Sequence, residues 1–575
     1  MIKAFFTRPL AATTLALCVL VVQAQAEEMA FDVLILGGTV VDGSGGAARQ
    51  ADLGIKNGRI AAIGDLGAAL AEHRIAAEGQ VVAPGFIDVH SHADRAFADA
   101  DAAAMEGFLR QGVTTAVFGV DGFMGLDELK EKATLAAQGR SGLNFLSYIG
   151  HNAVRNGVMG KEQRAPTAEE LAAMEAVVRE AMEFGAVGLS TGLMYLPGRY
   201  ADKHELIALA SVTAPYGGRY DSHVRDPANA LITSHRECLE VGAAAGIHAH
   251  PAHMKAVGGK NFGKGDALVE LVNHYLAQGQ EVSVDLYPYD GAATSPVVNL
   301  LYPGGDAAGE ALMARIEPLL SGKSIPEESI EALLTDLRAY WRRSAGITEV
   351  LASARARTED PPAGMFSWID TVGYESLRIV VSAKPAYEGR LVTEVAAELD
   401  VSPFEFLRRI IVAEGSSAMV TLGAIQESDV RRVLTQPWAM VASDGEELSP
   451  SHPRGRGTFA RLLGRYVREW QVLSLEEAIH KITGLPASYL GLPERGILRE
   501  GAVADVVVFD PDQIIDRATW AEPWHHAAGV SHVLIGGRAA LTDGRLQRDR
   551  LGRYLRFRGA EGSTEPTATV LRKAP

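Results

Sequence analysis

Eight apolar runs of strand length alternate with helical stretches through the middle of this chain. They end near His92, Asp121, His151, Ser190, His223, His253, Tyr287 and Asp444. The intervening stretches, such as Thr167–Phe184 and Asp266–Gln278, carry apolar residues at about the 3.6-residue spacing of a helix. That alternation predicts an α/β fold, a (β/α)8 TIM-like barrel over 81–490, in which ligands gather at the C-terminal ends of the strands. The interval from 303 to about 427 is too long for a simple connection. Its helical patterns (Ala307–Leu320, Glu328–Arg343, Leu391–Leu399, Pro403–Val412) predict an inserted helical subdomain beside the site.

Both chain ends read differently. Residues 27–80 and 491–558 are short alternating strands with glycine turns, and Asn57-Gly58 is a hairpin turn because both residues tolerate positive φ. Two β-rich ends around a long middle predict one small β-sandwich domain built from both. The tail 559–575 is polar and expected to be loosely ordered. At the N-terminus, Lys3 and Arg8 precede an apolar stretch, Leu10–Val22, and Ala24-Gln25-Ala26 supplies a cleavage site. Residues 1–26 therefore read as a cleavable signal peptide, too short in its apolar part for a membrane span, and the protein as periplasmic or secreted.

Composition narrows the chemistry. A net charge of −16 argues against nucleic acid and against an anionic membrane surface. With Cys18 removed, Cys238 is the one remaining cysteine, so an intramolecular disulfide and a Cys-rich zinc site are both excluded. Any metal must be held mainly by histidines and carboxylates.

The stretch Val81–Asp94 (VVAPGFIDVHSHAD) offers the first such ligands. Residues two apart on a strand share a face, so His90 and His92 leave the strand side by side, as two ligands of one ion should. An isolated H-x-H triplet is more readily a pair of satisfied or surface histidines. The other strand ends strengthen it: Asp121, His223, His253 and Asp444 arrive at equivalent positions. Four histidines and two carboxylates suffice for two divalent ions, which activate water and polarise a carbonyl. Asp444 beside such a water is placed to take its proton and pass it to a leaving amine. The plain alternative for any one of these residues is a cap or a turn; for all six at matching strand ends it is poor.

Two other motifs fail on inspection. Gly43–Ala48 fits G-x-G-x-x-A, but a strand follows where a dinucleotide site needs a helix. Gly258–Gly265 (GGKNFGKG) nearly matches a phosphate loop but lacks the final hydroxyl.

The order HxH, His, His, Asp on successive barrel strands resembles the amidohydrolase superfamily. Within it, GAVGLSTGLMYLPGRYAD from Gly185, YDSHVRD from Tyr220, AHMKAVGGKNFGKG from Ala252, DLYPYDGAAT from Asp285 and SDGEELSPSHPRGRGTFARLLGRYVRE from Ser443 resemble the N-acyl-D-amino-acid deacylases, or D-aminoacylases. So does ITGLPASYLGLPERGILREGAVADVVVFD from Ile482. The resemblance implies a Zn²⁺-dependent hydrolase, with one or two ions or another divalent metal, that splits the amide of an N-acyl-D-amino acid. It implies His90, His92, His223 and His253 as ligands and Asp444 as general base and acid. It matches Lys255, Tyr289 and Arg454 to positions that grip the substrate carboxylate, with Ser295 and Tyr195 as further pocket residues. His253 is preferred over His248 and His250 because Lys255 follows it, and His151 is either a supporting or a structural histidine.

One departure stands out. D-aminoacylases carry a cysteine ligand in a GNCG-like turn, and this chain has Gly119-Val120-Asp121-Gly122 there. Asp121 either ligates through oxygen, a harder donor than thiolate, or is a turn residue that leaves one metal site. The strand near Ser190 has no lysine for the carbamylated bridge of other relatives. Relatives acting on acidic D-amino acids carry a basic residue after the YPY segment, whereas Pro296–Tyr302 (PVVNLLY) has none, which predicts a neutral or apolar side chain. The competing readings are a D-dipeptidase or another amidase of the superfamily, and a non-catalytic binding protein. The intact histidines, Asp444 and Arg454 speak against the last.

Overall fold

The computed structural model describes residues 31–320, 327–362, 367–448 and 452–559. The expected signal segment, residues 449–451 and the tail from 560 onward lie outside the described residues.

Eight parallel strands close into a ring. In order they are Phe86–Asp88, Val113–Phe118, Asn144–Ser147 continued by Ile149–Gly150, Gly188–Gly192, Arg219–His223, His248–Pro251, Val284–Leu286 and Ala439–Val441. Ladders join the first strand through to the sixth and the seventh to the eighth. A bridge between Ala249 and Val282 joins sixth to seventh, and one between Ser91 and Gly445 closes eighth onto first. The strand residues are almost all buried, because helices cover the outside and side chains fill the inside. Helices sit where the 3.6-residue pattern placed them. Ala168–Phe184, for example, starts at a capping box in which Thr167 and Glu170 satisfy each other's backbone amides, worth about 1 kcal/mol.

The two chain ends build one nine-stranded sheet, joined where Val81–Pro84 pairs antiparallel with Val506–Phe509. Asn57 and Gly58 turn its hairpin with φ of 51° and 75°. Arg59 reaches back to bridge Val503, so the sheet rolls over a core that includes Val33, Leu53, Val82, Val506 and Leu534.

The insertion has its own core around Tyr302, Trp341, Phe404 and Leu407. Helices occupy Ala307–Leu320, Glu327–Arg343, Val392–Glu398 and Pro403–Glu414, as the patterns predict. Its strands Met419–Ala424 and Arg378–Val381 join Gly291–Pro296, just before the insertion, in a three-stranded antiparallel sheet that the helical reading did not anticipate. Among the described residues, no helix is long and apolar enough to cross a membrane.

The phosphate-loop lookalike is occupied by the chain itself. Asp429 accepts the amides of Gly263 and Gly265 at 2.9 Å each, where a phosphate would have to sit.

Candidate metal centre

The ring gathers the strand-end residues at one mouth. His90 and His92 follow the first strand, Asp121 lies in the turn Val120–Gly122 after the second, and His223 ends the fifth. His253 follows the sixth strand and Asp444 the eighth.

Asp121 is the hub. Its Oδ1 lies 3.5 Å from His90 Nε2, 3.4 Å from His223 Nδ1 and 3.5 Å from His253 Nε2, and its Oδ2 lies 3.4 Å from His92 Nε2. Asp444 Oδ1 lies 3.3 Å from His92 Nε2 and 3.8 Å from His90 Nε2. The donors therefore form two groups, His90–His92–Asp121–Asp444 and Asp121–His223–His253, that share Asp121. All six residues are buried, and His90 Nε2, Asp121 Oδ1, His223 Nε2 and His253 Nε2 have no hydrogen-bond partner. Burying such atoms unpaired is costly. Their convergence as imidazole nitrogen and carboxylate oxygen fits one or two divalent cations.

The backbone is strained at the same places. Asp121, His253 and Asp444 have φ of 57°, 33° and 48°, unusual for residues with a Cβ. Strain of this kind costs about 1–3 kcal/mol per residue and gathers where function fixes a side chain.

Burial pushes the carboxyl of Asp121 up, but His223, His253 and His90 outweigh it and hold it well below the usual range. The same holds for Asp444, where Arg454 is the strongest opposing charge. Arg454 Nη1 sits 2.9 Å from Asp444 Oδ2 and donates to the Ala292 carbonyl at 2.8 Å. Its guanidinium lies 4.6 Å from the Tyr287 ring centroid, and Lys255 Nζ lies 5.3 Å from the same centroid. Burial lowers the Lys255 ammonium to about 8.

A cavity of about 320 Å³ opens over these groups; His92, Asp121, His223, Lys255, Asp444 and Arg454 line it, as does the ion pair of Arg95 with Glu446. The rest of the lining is mostly apolar and includes Phe123, Met194, Val257, Trp368, Val372 and Leu422, three of them from the insertion.

Of the residues expected to bind substrate, Lys255, Arg454 and Tyr195 line the cavity, with Tyr195 Oη 3.5 Å from His223 Nδ1. Tyr289 and Ser295 do not. Tyr289 lies under the Arg461 guanidinium at 4.7 Å and reaches the Pro453 carbonyl, and the Ser295 hydroxyl donates to the Pro296 carbonyl. Tyr287, two residues before Tyr289, is the tyrosine beside the two cations. His151 pairs with buried Glu205 at 2.8 Å and has a structural place. His248 and His250 both turn to Ser283, leaving His253 as the member of that trio in the donor set.

Sequence reasoning missed the buried carboxylates below the mouth: Asp88, Asp221 and Asp285. The strand period points to them, since Asp88 and Asp221 stand two residues before His90 and His223 and so face the same way.

With this geometry in hand, the relatives fall into place. The amidohydrolase family model matches residues 74–214 and 380–540. The N-acyl-D-glutamate deacylase of Alcaligenes xylosoxydans xylosoxydans is 34% identical over 548 residues, which span 91% of this chain and 96% of that one. The crystal structure of N-acyl-D-glutamate deacylase from Bordetella bronchiseptica, complexed with zinc and a phosphonate mimic of the tetrahedral intermediate, is 33% identical. It matches with a TM-score of 0.69, covering 92% of this chain and 99% of that one. A D-aminoacylase structure concerned with its binuclear metal centre is 30% identical with a TM-score of 0.68, covering 91% and 99%. The chain belongs to the amidohydrolase family, in its branch of D-aminoacylases and N-acyl-D-amino-acid deacylases.

Proposed function

We propose that this protein is an exported, metal-dependent deacylase that hydrolyses N-acyl-D-amino acids with a neutral or apolar side chain. What carries the reading is the meeting, in one cavity, of a divalent-cation donor set, an ionised Asp444 and the cations Lys255 and Arg454. A divalent cation held by His90, His92, Asp121, His223 and His253, zinc or another, supplies polarisation of the amide carbonyl and activation of water.

The side chains do the rest. Arg454 forks a carboxylate and Lys255 adds a point charge, so together they hold the substrate's α-carboxylate and place the scissile amide over the donor set. Asp444 Oδ1 faces the imidazoles, so Oδ2 is the atom that takes the proton of the attacking water, once Arg454 turns to the substrate. The same oxygen then returns the proton to the leaving nitrogen, giving a carboxylate and a free D-amino acid. The apolar lining from Phe123 to Leu422 receives uncharged groups and penalises a second carboxylate. Export rests on the basic, apolar and A-x-A segments of the first 26 residues.

Dialysis against a chelator tests the reading. Release of D-Met from N-acetyl-D-Met should disappear and return with Zn²⁺ or Mn²⁺; activity indifferent to metal removal would contradict it.

A further inference from the structure

Two buried carboxylates that no catalytic step uses lie beneath the donor set. They are Asp221 on the fifth strand and Asp285 on the seventh. His90 turns Nδ1 toward both, 3.9 Å from Asp221 Oδ2 and 3.8 Å from Asp285 Oδ2. Its other nitrogen, Nε2, faces Asp121 and Asp444. A neutral imidazole offers a metal only the nitrogen that carries no proton. Neither oxygen is within hydrogen-bond reach of Nδ1, but the negative charge collected on that side favours the proton there and leaves Nε2 for the cation.

Asp285 has a second contact at the same depth. Its Oδ1 accepts the His253 amide at 2.9 Å, and its own carbonyl accepts the Met254 amide at 2.8 Å. His253 has a φ of 33°, a conformation that its Cβ disfavours, so the turn needs a fixed acceptor to hold it. Asp285 is itself fixed. Its Oδ2 lies 2.7 Å from His250 Nε2, and His250 Nδ1 lies 2.9 Å from the Ser283 hydroxyl. One carboxylate thus reaches the ring of a histidine in the first donor group and the backbone of a histidine in the second.

We propose that Asp285 and Asp221 are positioning residues of the metal centre: together they set the Nδ1-protonated form of His90, and Asp285 also holds the turn that aims His253. This deepens the reading above and rests on the histidines being metal ligands.

The test uses the full chain, freed of metal, as wild type, Asp285→Asn and Asp221→Asn. Affinity for Co²⁺ and Zn²⁺ is read by competition with a chromophoric chelator, alongside the visible spectrum of the Co²⁺ form and the melting temperature of the metal-free form. Asp285→Asn should bind about 10–100-fold more weakly, the range seen when an outer carboxylate partner of a ligand is lost, with a changed Co²⁺ spectrum. Asp221→Asn, which meets His90 alone, should show the same change to a smaller degree. Variants that melt earlier yet bind within about twofold of wild type, with an unchanged spectrum, would give the two residues a purely structural role and overturn the proposal. If Asp285→Asn does not fold, Asp221→Asn decides by the same readings. Wild type that binds neither ion would overturn this proposal and the metal-dependent reading together.

Discussion

Asp88 on the first barrel strand accepts Ser443, beyond the eighth, through both the backbone amide at 3.0 Å and the hydroxyl, so one buried carboxylate locks the seam where the ring closes. The same Oδ1 takes the His90 amide at 3.3 Å. The backbone seats of His90 and of Asp444, on either side of the seam, therefore depend on one side chain.

Removing that anchor should cost stability before it costs chemistry. Asp88→Ala strands the Ser443 hydroxyl and two amides in a dry interior, at about 1–3 kcal/mol for each group left unpaired. Ser443→Ala removes a single donor and should cost about 1 kcal/mol. Denaturant midpoints of the two variants against wild type check the ranking.

Asp121 makes a sharper prediction about metal. Both donor groups share it, so Asp121→Ala should lower bound metal per chain and weaken what remains by at least about tenfold. Asp121→Cys should retain binding and move preference toward Cd²⁺, because thiolate is the softer donor. Elemental analysis after dialysis in mixed metals reads both outcomes. An Asp121→Ala protein with a full complement of metal would make Asp121 a turn residue.

Arg454 pairs with the proposed base and lines the cavity. Arg454→Gln leaves Asp444 buried without its partner and removes the fork for the carboxylate. We expect a loss of about 3 kcal/mol of transition-state binding, or roughly a hundredfold in kcat/KM, shared between kcat and KM. Steady-state kinetics on N-acetyl-D-Met would show it.

The lining predicts selectivity. N-acetyl-D-Met should turn over faster than N-acetyl-D-Glu, since Phe123, Met194, Trp368 and Leu422 disfavour a second carboxylate and the Arg95 guanidinium in the lining is already paired with Glu446. A panel of N-acetyl-D-amino acids decides, and faster turnover of the D-Glu substrate would refute the assignment.

Stability should also fall with acid through His235. Burial lowers this imidazole to about 4 from 6.5, and its Nδ1 lies 2.7 Å from the Leu231 carbonyl. A histidine depressed in the fold is stabilising above its unfolded value, and that contribution is lost as pH falls from 6.5 toward 4. The loss amounts to about 3 kcal/mol. His235→Leu should flatten that part of the stability–pH curve, measured by denaturant melts across the window.

The barrel and the donors were legible because both rest on local periodicity. Each strand-like run carried its apolar residues to a polar end, and His90, His223 and Asp444 stand where those runs stop. The sheet of the insertion was not legible, because Gly291–Pro296 pairs with Met419–Ala424 more than a hundred residues later and neither run alternates cleanly. The resemblance matches Tyr289 to the substrate grip, and only packing shows that the ring beside Arg454 is that of Tyr287. Asp285 reads as an ordinary strand carboxylate until His250 and the His253 amide are seen around it.

The central claim is that Asp444 drives hydrolysis of the D-configured amide alone. The direct measurement is amine release from N-acetyl-D-Met and N-acetyl-L-Met by the protein loaded with Zn²⁺, with Asp444→Asn alongside. The account predicts release from the D substrate only, reduced about 10²–10⁴-fold in the variant, the usual worth of a general acid–base group. Equal release from both enantiomers, or an Asp444→Asn protein as active as wild type, would contradict it.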